Sequence, residues 1–140
     1  MIQRDDWPED WPERLHAHID ARIRAPFEWG KNDCAHLAFD WVRDMTGHDP
    51  LEVFRGRYST AEGSLRALKR LGKGGLVETF AALMPEEIGV RKARRGDVAV
   101  ANGDEGAALG LVTGSEAIFF APEGATLFPV SRCRLVWPVG

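Results

Sequence analysis

The hydrophobic period of this chain changes once, at Gly96, and that change limits the folds open to it. Before Gly96, apolar residues recur at spacings of three and four. Cys34, Leu37, Ala38, Trp41, Val42 and Met45 make one continuous stripe, the mark of a helix central to a core. After Gly96 the apolar runs are short: Asp97 to Ala101, Ala108 to Thr113, Ala117 to Ala121, Ala125 to Val130 and Cys133 to Val136. Each is bounded by Gly, Pro, Asn or Ser, as antiparallel strands joined by hairpins are. Helices first and strands after predict an α+β fold, with N-terminal helices packed on a C-terminal antiparallel β-sheet. At 140 residues the chain suits one domain, 1–140. Its expected parts are an arm and helix over 1–26, the central and accessory helices over 27–84, and the sheet over 96–137.

Local signals set the helix ends. Asp10, Pro12 and Glu13 read as a capped start, with Asp10 the cap and Glu13 at the capping-box position. That helix runs to about Arg24, stops before Pro26, and buries Leu15, Ile19 and Ile23. Asn32 or Asp33 caps the central helix, and Gly47 ends it. Leu51 to Phe54 is a short helical turn. Ser59 or Thr60 caps a helix reaching Leu71, closed by Gly72, with Leu65, Leu68 and Leu71 as its buried side. Leu76 to Met84 makes another helix, ended by Pro85. Trp7 and Trp11 lie in an acidic arm expected to fold back over its own domain, and Tyr58 is read as a core plug.

Charge and cysteine usage exclude several functions. A net charge of -3 argues against nucleic acid, which needs a clustered basic face. The run Arg91-Lys92-Ala93-Arg94-Arg95 reads as a solvated loop before a strand. Cys34 and Cys133 make neither a disulfide scaffold nor a zinc spacing, and Cys133 reads as a core residue of the last strand. The scattered histidines form no metal site, and no cofactor is expected. No apolar run approaches the ~20 residues of a membrane span. The start lacks the basic and apolar regions of a signal peptide, so synthesis and folding in a cytoplasm are expected.

Cys34 is the candidate for chemistry. It directly follows its cap, in the first turn of the central helix. Free backbone amides and the helix dipole there stabilise a thiolate and an oxyanion. Cysteine is also a common small core residue, and Cys34 lies on the apolar stripe. Spacing alone leaves both readings open.

The surrounding residues add a resemblance. Trp29-Gly30-Lys31-Asn32-Asp33-Cys34-Ala35-His36-Leu37-Ala38 resembles the nucleophile motif of the papain-like, NlpC-type cell-wall peptidases. Arg95-Gly96-Asp97-Val98 resembles that superfamily's Gly-Asp start of the sheet. Ala108-Leu109-Gly110-Leu111 resembles its next strand. With Arg55-Gly56-Arg57-Tyr58, the pattern is similar to an uncharacterised phage and prophage branch often met among tail genes. The resemblance covers roughly Phe27 to Thr113. It implies Cys34 as nucleophile, Asp33 as motif partner and cap, and a catalytic histidine where this chain has Ala108.

An alanine can neither take the thiol proton nor protonate a leaving amine. His16, His18, His36 and His48 all lie in the helical half. His36 sits about 200° around the helix from Cys34, and His48 lies roughly 20 Å away past its far end. Asp104 and Glu105 are loop acids near the Ala108 strand. The resemblance then implies a catalytically impaired cell-wall-hydrolase fold, used as a structural or recognition component of a tail assembly, with phage tail proteins as partners. The alternative is an active thiol peptidase or amidase on peptidoglycan peptides, using Cys34 with a non-standard base. A third reading is a small cytoplasmic binding domain in which Cys34 only fills the core.

Overall fold

A computed structural model describes residues 1–140. Helices α1 (Trp11–Arg24), α2 (Cys34–Thr46), α3 (Ala61–Leu71) and α4 (Leu76–Ala81) precede strands β1 (Val98–Gly103), β2 (Gly106–Val112), β3 (Glu116–Ala121), β4 (Gly124–Pro129) and β5 (Leu135–Trp137). The strands form one antiparallel sheet in the order β4-β3-β2-β1-β5. The fold is therefore α+β, as the change of period predicts. No helix is long and apolar enough to cross a membrane.

The two sheet faces are unequal. Val98, Val100, Leu109 and Leu111 join Leu37, Phe39, Trp41 and Val42 of α2 in the larger apolar cluster. Ala99, Ala101, Val112 and Ala117 belong to a smaller cluster on the other face. Full burial of one such large side chain stabilises by about 1.5–3 kcal/mol, so the α2–sheet contact dominates the fold.

Two polar anchors tie the halves together. Trp41 Nε1 donates to the Gly96 carbonyl at 3.0 Å. Gly96 has φ +88°, and a Cβ there would lie 3.2 Å from that same nitrogen. The glycine thus supplies both the turn and the close approach. Asp97, fully buried, accepts from Arg4 Nη2 at 2.7 Å, the Val139 amide at 2.9 Å and the Arg94 amide at 2.8 Å. One carboxylate therefore holds the N-terminal arm, the C-terminus and the start of β1. The arm folds back as expected: Trp7 is buried and meets Trp11 and Trp41 edge-on.

Several local expectations need correction. Asp10 makes no capping bond and instead pairs with Arg14 at 2.8 Å. Leu65 and Leu71 are 60% and 36% exposed, because α3 lies at the rim and buries only Ala67. α4 stops at Ala81, short of Met84. Cys133 is buried but ends a 3-10 turn before β5, outside any strand. The basic run around Arg94 needs no correction: it is a largely exposed loop before β1, as expected, with a short 3-10 turn at its start.

Candidate functional site at the start of α2

Asp33 caps α2. Its Oδ1 accepts the His36 amide at 2.9 Å and lies 2.7 Å from His36 Nδ1, which therefore carries a proton. Its Oδ2 accepts the Gly30 amide at 2.9 Å and the Tyr58 hydroxyl at 2.6 Å. Burial by itself pushes this carboxyl up. The bonds from His36 and Tyr58 outweigh it and hold the group below the usual carboxylate range. All four donors converge on a side chain only 1% exposed.

The neighbouring motif residues serve this node. Gly30 has φ +85°, and a Cβ on it would strike the Tyr58 carbonyl at 2.1 Å. Asn32 donates from Nδ2 to the Arg22 and Pro26 carbonyls, both at 3.0 Å, tying off the end of α1. Tyr58 is half-buried and packs against the larger cluster, so it plugs the core and touches the site at once. The sequence placed Asp33 as a cap but gave no sign of its link to Tyr58, 25 residues away.

Cys34 is half-buried in the first turn of α2. Burial, reinforced by the Asp33 charge, pushes its thiol up to about 11. The backbone amides of Leu109, Ala35 and Cys34 itself act in the opposite direction and do not overcome it. The sulfur therefore sits among amides yet stays a thiol near neutrality. Pairing of β2 with β3 begins at Gly110↔Phe119, so Leu109 lies just outside that ladder, on the strand that faces Cys34. A cavity of about 60 Å³ opens beside Cys34, lined mainly by apolar groups including Trp29, Phe54, Tyr58, Leu68 and Phe80.

No side chain is hydrogen-bonded to the Cys34 sulfur. His36 gives its Nδ1 proton to Asp33 and keeps a free Nε2, but that nitrogen makes no bond to sulfur; His18 Nε2 lies 2.7 Å from the Leu37 carbonyl and His48 Nε2 lies 2.7 Å from the Leu83 carbonyl. His16 is exposed on α1. Asp104 and Glu105 form the exposed turn between β1 and β2. Tyr58 donates its hydroxyl proton to Asp33 and so stays a neutral phenol, a poor base for a thiol.

Ala108 lies on the opposite face of β2 from Leu109. It pairs with Ala101, which belongs to the cluster on the far face of the sheet. Ala107 and Leu109 face the helices instead. Ala108 thus directly precedes Leu109, but its methyl group points away from the helix layer.

A comparison with curated proteins finds no match. One family model, described as a domain of unknown function (DUF6950), matches residues 8–139 and so takes in both walls of the Cys34 site. The chain belongs to the DUF6950 family.

Proposed function

We propose that this chain is a papain-like, NlpC-type domain without its general base, serving as a structural or recognition component of a phage or prophage tail. The carrying observation is the setting of Cys34: the first turn of α2 beside an apolar cavity, with no histidine or carboxylate hydrogen-bonded to its sulfur. Loss of general acid–base catalysis typically costs 10²–10⁴-fold, and the raised thiol removes most of the thiolate as well. What remains is a well-braced helix terminus beside a small apolar recess. The tail setting rests on the sequence resemblance, and peptidoglycan peptides remain the ligand class which that resemblance implies.

Alkylation tests the site directly. In a Cys133→Ala background, iodoacetamide should label Cys34 roughly two orders of magnitude or more slower than a free thiol at pH 7.5. Because the thiol titrates high, labelling should climb steadily as the pH rises towards about 11. Fast labelling with a midpoint near neutrality would sink the proposal. Peptidoglycan digestion tests the consequence. Wild type and Cys34→Ala should release equal, background amounts of peptide, whereas release by wild type alone would establish the active thiol hydrolase instead.

A further inference from the structure

A second recess lies on the other side of Tyr58. It has a volume of about 330 Å³, and Arg57, Tyr58, Ser59, Thr60, Arg66 and Arg70 contribute to its lining. That volume falls at the low end of small-molecule sites. Unlike the cavity at Cys34, this groove is rich in hydrogen-bond donors and carries three guanidinium groups.

The arginines here differ from those earlier in the chain. Arg4, Arg14, Arg22, Arg24, Arg43 and Arg55 each have a carboxylate partner. Arg57, Arg66 and Arg70 have none. Arg66 and Arg70 stand one turn apart on α3, an arrangement of like charges that opposes the helix rather than supporting it. Glu62 precedes Arg66 by one turn and makes no ion pair with it. The Arg66 guanidinium instead lies over Gly63, where an added Cβ would come 3.8 Å from Nη2.

We infer that this groove binds a small multivalent oxyanion, clasped by Arg57, Arg66 and Arg70. Guanidinium forks match the paired oxygens of phosphate and carboxylate, and three of them favour a ligand with at least two anionic groups. The Ser59 and Thr60 side chains add hydroxyl groups to the same lining. The inference concerns a separate recess and does not depend on whether Cys34 is catalytic.

Calorimetric titration of the full chain with inorganic pyrophosphate, and separately with citrate, tests it. Saturable one-to-one binding below about 1 mM is expected for at least one probe. Binding of pyrophosphate alone assigns phosphate chemistry, and binding of citrate alone assigns carboxylate chemistry. Arg66→Gln and Arg70→Gln should each weaken binding about tenfold or more. Lys69→Gln, on the same helix but outside the groove, should leave it within about twofold. All three positions are exposed, so circular dichroism should report a native fold for each variant. No saturation with either probe would overturn the inference, and so would equal weakening by Lys69→Gln.

Discussion

Two walls meet at the Cys34 sulfur, one from the loop and first turn of α2, the other from the start of β2. The first is dense with polar bonds. Asp33 alone gathers Gly30, His36 and Tyr58, and Asn32 closes off α1 beside it. The second offers only the strand backbone at Leu109 and the methyl group of Ala107. Several of the motif residues have a structural task. Gly30 admits a carbonyl, Gly96 admits an indole, and Asp97 joins both termini. Residues that resemble a nucleophile motif can therefore serve as architecture, and their presence alone is weak evidence for catalysis.

Breaking the dense wall should have the largest effect. Asp33→Ala removes the cap and strands several buried donors, for a loss of about 3–5 kcal/mol in urea unfolding. A loss below about 1 kcal/mol would show that the node is ornamental to stability. The pH dependence carries the same sign. The folded carboxyl titrates below its unfolded value, so its contribution is present above about pH 4 and disappears as the pH falls through the folded value. Asp33→Asn should flatten that acid limb.

Tyr58→Phe is a finer cut through the same wall. It deletes one hydroxyl bond to a buried carboxylate and leaves the ring in the core. Bonds to charged groups contribute about 1.5–3 kcal/mol, and urea unfolding should lose that much. A change within about 0.5 kcal/mol would mean that Gly30 and His36 suffice to hold Asp33.

The sequence carried the fold better than the site. The α2 stripe, the cap at Asp33 and the run of short strands were readable because period and capping are local. α3 shows the limit. Its leucine spacing marks an apolar face, but no periodicity reveals whether another element reaches that face, and Leu65 stays in solvent. The direction of Ala108 was hidden for a related reason. Ala107 to Val112 is apolar on both faces, so no alternation marks which side meets the helices. The Tyr58–Asp33 bond depends on the path of a long loop, which has no local code.

The bare wall offers the smallest and most pointed test, because both alanines are half-buried and a substitution at either should shift stability by only about 1 kcal/mol. An imidazole brought beside the sulfur favours the thiolate and lowers the thiol by roughly one unit or more, which is about a tenfold gain in labelling at neutral pH. Ala107→His places that ring on the helix face and should produce the gain. Ala108→His places it on the far face and should leave the rate near wild type. If Ala108→His accelerates labelling and Ala107→His does not, the ring reaches around the strand end, and the position from which a base can reach the sulfur is 108. The pair of variants thus decides which face of β2 a base must occupy, whether or not either one cuts a peptide.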